Sequence, residues 1–183
     1  MICKKLEECI NGELQSNFLE KCDNKSRMEC IESSDRRSTV KCEENKKKYV
    51  LENTKKNHVI LYKMDGGIIV EDKSVPLNTS KCDYLFVIGD ATPIAVLTEL
   101  KGVNVPKALI QLKGTLLLYK NVFCKFGHVY ARAIVTSSTP NLKASPEYVN
   151  LERMIRKDYK GNIKIVEKQF NEKDTELFTY SLT

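Results

Sequence analysis

Asp83, Glu99 and Lys101 are the side chains whose types and spacing suit joint chemistry: two carboxylates able to hold a hard divalent cation, and an amine able to face an anion. They flank two β-rich runs, CDYLFVI and PIAVLTELK, joined by the turn formers Gly89-Asp90-Ala91-Thr92-Pro93. A hairpin centred on Ala91 sets Asp83 directly across from Glu99. Strand alternation then puts Lys101 on the same face as Glu99, about 7 Å further along. Leu85, Val87, Ala95 and Leu97 continue that face as apolar surface, so the charged trio ends an otherwise buried layer. Directly opposed like charges destabilise a sheet unless a cation neutralises them, and oxygen ligands of this kind suit Mg²⁺ or Mn²⁺.

The elements that must position these groups follow from periodicity. Leu6, Ile10, Leu14 and Phe18 recur every four residues and predict a helix at roughly 4–20. The polar stretch CDNKSRMECIESSDRRST reads as a loop or short helix, and KCEENKKKYVLENTKK as a second helix leading into the sheet. HVILYKM and IIVED read as antiparallel strands about Asp65-Gly66-Gly67. Both runs of the Asp83–Lys101 hairpin are apolar on both faces, which places them in a sheet covered on each side, an α/β layered domain. A helix over about 105–120 follows, with Asn104 as its cap and Pro106 in its first turn. HVYARAIVTS is a fourth long strand, 146–158 a helix, Lys160-Gly161-Asn162 a turn, and NIKIVEKQF and LFTYSL two short closing strands.

With 183 residues, 42% of them hydrophobic, the chain holds one well-cored domain. No window reaches the roughly 18 apolar residues of a membrane span, and the start lacks the apolar core of a secretion signal, so the expectation is a cytoplasmic protein that does not engage membrane. Seven cysteines, an odd number without a framework spacing, read as reduced thiols; Cys22, Cys30 and Cys42 lack the paired spacing and nearby histidine that zinc requires. Thirty Lys and Arg against 24 Asp and Glu give a net charge of +6, which favours approach to a polyanion. His58 and His128 each open a strand without a partner in sequence and read as structural.

Asp83 followed on the next strand by Glu99-Leu100-Lys101 resembles the Asp…Glu-X-Lys signature of the PD-(D/E)XK nucleases, and the order of elements over about 40–136 matches theirs. The resemblance implies a restriction endonuclease-like α/β fold: a three-layer core with a mixed central β-sheet flanked by helices, over residues 40–183, with 1–39 as an N-terminal helical extension. It implies a metal-dependent nuclease in which Asp83, Glu99 and the carbonyl of Leu100 hold Mg²⁺, with Mn²⁺ able to substitute. Lys101 would orient the attacking water or stabilise the phosphate charge. Gln111 matches a glutamine that leans into the site in several branches, and Thr115 stands where the exonuclease-like branch has a tyrosine. Many members add an acid from the helix before the sheet, for which Glu43, Glu44 and Glu52 are the candidates. Lys81, Lys107, Lys113 and Lys120 surround the site as phosphate contacts. The expected partner is nucleic acid, DNA ahead of RNA, with a homodimer allowed because such enzymes often pair to cut both strands. No base-reading signature is present. The alternatives are an RNA-cleaving nuclease and a non-catalytic nucleic-acid- or protein-binding module on the same scaffold.

Overall fold

The computed structural model describes residues 2–16, 29–70, 75–76, 79–137 and 140–178. Its centre is a six-stranded mixed sheet in the order β1-β4-β5-β6-β7-β8, built from Ile31–Asp35, Val59–Lys63, Tyr84–Ile88, Ile94–Lys101, His128–Val135 and Ile163–Glu167. The first four are antiparallel to their neighbours, and β6, β7 and β8 run parallel. The α/β character expected from the sequence is therefore present, with a mixed central sheet.

Strand alternation divides the core in two. Ile60, Tyr62, Leu85, Val87, Ala95, Leu97, Ala131 and Ala133 face three helices: α1 (Leu6–Gln15), α2 (Val105–Leu118) and α4 (Pro146–Tyr159). A four-residue α3 (Lys120–Phe123) closes the end of α2. The caps follow the sequence: the Asn104 side chain accepts from the Lys107 N–H at 3.0 Å, and Ser145 from the Tyr148 N–H at 3.2 Å, each ahead of a proline in the first turn.

The other face differs from expectation. Val59, Leu61, Phe86, Ile88, Val96, Tyr130 and Ile134 are covered by a second, three-stranded sheet in the order β2-β3-β9 (Thr39–Glu44, Lys47–Glu52 and Gln169–Lys173), together with the short α5 (Asp174–Phe178). The layers are helix, sheet and sheet, so α1, α2 and α4 lie on one side of the main sheet and the second sheet, with the five-residue α5, on the other.

The lysine-rich segment read as a helix is the β2–β3 hairpin. Asn45 and Lys46 both take positive φ (48° and 62°), the two-residue turn that matches strand twist. Val40 and Cys42 on β2, and Tyr49 and Leu51 on β3, alternate inward with period two. β1 replaces the loop or helix expected near Ile31, and its pairing with β4 joins residues before 40 to the main sheet. Leu6 and Ile10 of α1 join the helix-side core.

The Asp65-Gly66-Gly67 segment closes no hairpin among the described residues. Instead it folds into a tight turn in which the Ile68 and Ile69 N–H groups donate to Lys63 and Met64 carbonyls. Gly67 is needed there, since a Cβ would lie 2.3 Å from the Lys63 carbonyl oxygen. The LFTYSL segment is not a strand where it is described: Leu177 and Phe178 lie in α5, and 179–182 lie outside the described residues, as do 17–20 of the first predicted helix.

The two sheets are joined by a buried ionic clamp. Arg132 of β7 donates two hydrogen bonds to Glu172 of β9, Nε to Oε2 at 2.7 Å and Nη2 to Oε1 at 2.8 Å. Both side chains are 1% exposed. Tyr49 Oη donates to Glu172 Oε2 at 3.0 Å, Lys164 Nζ to Oε1 at 2.8 Å, and Arg132 Nη1 to the Ala131 and Asn162 carbonyls. Every strong donor and acceptor in the clamp is used, which is the condition under which a buried ion pair is tolerated. The Glu172→Gln substitution leaves a buried guanidinium without its countercharge. Urea unfolding should show a loss of about 3–5 kcal/mol, and a loss within error of zero would show that the clamp does not hold the sheets together.

Candidate active site

The β5–β6 ladder pairs Tyr84 with Thr98 and Leu85 with Leu97, the register expected from a turn centred on Ala91. One step beyond its end, Asp83 stands opposite Glu99. Odd-numbered residues of both strands point to the helix-covered face, as Leu85, Val87, Ala95 and Leu97 show, so Glu99 and Lys101 share that face, and Asp83, just ahead of β5, is near enough for its charge to act on Glu99 and that of Lys101 to act on it. Lys101 Nζ lies 3.4 Å from Glu99 Oε1. The sequence-predicted trio is brought together.

Asp83 is fixed from several directions. Its Oδ2 accepts the Leu100 N–H at 2.7 Å, and its own carbonyl accepts the Met64 N–H at 2.8 Å. In a strand the N–H and carbonyl of one residue face the same edge, so the Leu100 carbonyl is also turned toward the Asp83 side.

Glu99 is 0% exposed, and neither of its carboxylate oxygens makes a hydrogen bond of good geometry, its nearest donors being the Lys101 ammonium and the Asp83 N–H. Its compensation is the Lys101 ammonium at ion-pair distance, itself only 26% exposed. Burial, followed by the charge of Asp83, pushes the Glu99 carboxyl up to about 8, against the lowering effect of Lys101. Burial likewise raises Asp83 to about 6. The Leu100 N–H opposes that rise, and the charges of Glu44 and Asp65 add to it. Two neighbouring carboxyls held above their ordinary range, with the Lys101 ammonium beside Glu99, form a site with unmet demand for positive charge.

The other predicted residues fall in different places. Gln111 lies on α2, but its Nε2 donates to the Lys81 carbonyl at 3.0 Å, while its Oε1 is buried without a hydrogen-bond partner. The amide is thus tied to the chain leading into Asp83. Lys81, expected as a phosphate contact, has a side chain 5% exposed with Nζ 3.2 Å from Asp65 Oδ1; the ammonium is a buried partner of a carboxylate, not a surface cation. Lys107 and Lys120 are exposed and Lys113 half-buried, all on or beside α2.

Of the three acids expected from a preceding helix, all lie on strands. Glu43 is exposed and paired with Lys48 at 3.1 Å, Glu52 ends β3, and Glu44 is the one whose charge reaches Asp83. Asp65, read from sequence only as a turn former, also bears on Asp83; its proximity depends on β4 running antiparallel beside β5, which no local pattern near Asp65 reveals. His58 Nε2 lies 2.8 Å from Ser34 Oγ and His128 Nδ1 lies 2.7 Å from the Lys160 carbonyl, both away from the trio.

Searches against protein-family models, curated proteins and solved structures found no match to this chain. Among the described residues, no group of three or more His, Cys, Asp or Glu side chains is gathered as a metal cluster, so the site offers two side-chain carboxylates and main-chain oxygen. No helix among them is long and apolar enough to cross a membrane.

A carboxyl raised by folding keeps its proton in the native state over a pH range where the unfolded chain has lost it. In chelator, the Glu99 contribution should therefore lower stability as pH rises from the ordinary carboxylate range toward about 8. Glu172 and Asp174, held below their ordinary range despite burial, act oppositely and at lower pH, so the difference between wild type and Glu99→Gln is the measure. Thermal melting in chelator should show Glu99→Gln gaining on wild type by about 5 °C or more between roughly pH 5 and pH 8.5, at about 2–4 °C per kcal/mol. Parallel curves would mean that Glu99 is not titrating in that range.

Proposed function

We propose that this protein is a divalent-metal-dependent phosphodiesterase acting on nucleic acid, with DNA as the first substrate class, and that it belongs with the PD-(D/E)XK nucleases its signature resembles. The observation that carries the reading is the fully buried Glu99 carboxylate beside a second acid, Asp83, with the Lys101 ammonium 3.4 Å from Glu99. A single ammonium does not offset two neighbouring carboxylates withdrawn from water, and a coordinated cation would. The donor set fits Mg²⁺ or Mn²⁺: hard carboxylate oxygens from Asp83 and Glu99, with the Leu100 carbonyl on the same edge.

When bound, such an ion supplies an acidified water near neutral pH and neutralises charge on the phosphoryl oxygens. Asp83 and Glu99 would hold it, which would keep both ionised through the pH range where they otherwise retain protons. The Leu100 N–H keeps Asp83 Oδ2 in place, so the carboxylate cannot swing away from its partner. Lys101 donates from Nζ to a non-bridging phosphate oxygen or to the entering water, and its position on the Glu99 face directs that donation to the same locus. Lys107 and Lys120, exposed on and after α2, are placed to meet flanking phosphates, each as a salt-sensitive contact.

A non-catalytic binding module on this scaffold is favoured by one observation, the closure of Glu99 beneath Lys101, and the activity test separates the two readings. Wild type should cleave at least one of supercoiled plasmid, linear duplex, single-stranded DNA and RNA in Mg²⁺ or Mn²⁺, and not in chelator. Lys101→Ala should lower kcat by about 10²-fold or more, the scale of a lost transition-state donor, and Asp83→Asn should abolish cleavage. Equal cleavage by wild type and both variants would identify a contaminant and remove the hydrolytic reading. A wild type that retains duplex in gel shift but cuts nothing would establish the binding module.

A further inference from the structure

Asp83 precedes the first residue of β5, so the β5–β6 ladder does not fix the chain on its N-terminal side. That chain is the segment Ser80-Lys81-Cys82, and each of its three residues is met by a different residue of one face of α2. Gly114 lies against Ser80 so closely that a Cβ on it would stand 2.5 Å from the Ser80 carbonyl oxygen and Cβ. Gln111 Nε2 donates to the Lys81 carbonyl at 3.0 Å. Thr115 Oγ1 accepts the Cys82 N–H at 2.8 Å. Positions 111, 114 and 115 are related by helical i, i+3 and i+4 spacing, so the three contacts form one continuous surface.

The Thr115 hydroxyl is the best defined of the three. It is 0% exposed, and it donates to the Gln111 carbonyl one turn back at 3.1 Å. With its hydrogen directed there, a lone pair is left to accept the buried Cys82 N–H. The helix it stands on starts just beyond Lys101, after the Asn104 cap. Thus α2 is fastened by its beginning to the strand of Glu99 and Lys101, and by its middle to the leader of Asp83.

We propose that Thr115 is a positioning residue for Asp83: its hydroxyl, with Gln111 and Gly114, clamps residues 80–82 and thereby sets the distance between the two carboxylates. The geometric claim stands on these contacts alone, and its consequence for turnover rests on the phosphodiesterase reading.

The test compares Thr115→Val, which keeps the shape and removes the acceptor, with Thr115→Ser, which keeps the hydroxyl. Leu109→Ala serves as a control that destabilises the buried face of α2 while leaving Gln111, Gly114 and Thr115, which meet the leader, in the sequence. Thr115→Val should lose about tenfold or more in kcat, with KM for the DNA changed less than about twofold, as expected for misplacement of a reacting group. Thr115→Ser should return to within about twofold of wild type, and Leu109→Ala should lower the melting temperature while kcat holds below it.

Two readouts without turnover accompany these. The Cys82 amide should exchange at least about tenfold faster in Thr115→Val, since it has lost its partner. Mn²⁺ affinity by calorimetry should fall in Thr115→Val and Gly114→Ala but not in Thr115→Ser. If wild type cuts nothing, exchange and Mn²⁺ affinity still decide the clamp. Unchanged Cys82 exchange and unchanged Mn²⁺ affinity in Thr115→Val, or an equal kcat loss in Thr115→Ser, overturns the proposal.

Discussion

A carboxylate withdrawn from water at the end of a buried sheet layer is the constraint around which the site is organised. Glu99 has no exposed surface, and Lys101, whose ammonium lies 3.4 Å away, meets the charge of a second acid, Asp83, as well. Such an arrangement is unfavourable taken alone, because desolvation penalises the charged form and the neighbouring charge adds to the penalty. The sheet tolerates it because the cost is local and the apolar layers beneath are continuous: Leu85, Leu97, Ala95 and Val87 on the same face are all fully buried. The strain is confined to the strand end.

Much of that site could be read from the residues because its determinants are close in sequence. The β5–β6 register depends on a short turn, Lys101 on strand alternation, and α2 on Asn104 and Pro106, each a signal within a few residues of the element it governs. The second layer was illegible for the opposite reason. In the segment 39–52 the inward residues Val40, Cys42, Tyr49 and Leu51 are separated by lysines and glutamates, and the turn between the strands is Asn-Lys, without the glycine that usually marks a two-residue hairpin. The partner that completes the layer, β9, lies more than a hundred residues away in the chain and pairs in parallel, which no local pattern encodes.

Lys81 shows the same limit at the level of one side chain. A lysine two residues before an acid in a polar loop reads as solvated, and its burial depends on Asp65, brought alongside by the turn after β4. Gln111 was found by its position after the signature, but its amide is directed at backbone. Thr115, a residue that substitutes for a larger aromatic in the pattern it resembles, makes the buried contact to Cys82. Residues that shape a site through the main chain carry weaker sequence signals than those that meet the substrate, since many polar side chains can satisfy one N–H.

The parallel pairing of Lys47–Glu52 with Gln169–Lys173 also governs how the molecule must assemble. During synthesis Phe86, Ile88, Val96 and Ile134 are made well before residues 169–173 emerge, and until then they present an apolar strip that only the β2–β3 hairpin partly shields. Closing that long loop is entropically slow, and an exposed sheet face invites association between chains in the interval. The buried arginine on β7 must wait for its glutamate as well, so the late arrival of β9 both seals the hydrophobic face and neutralises the charge, and nascent or truncated chains lacking it are the species most in need of chaperone protection.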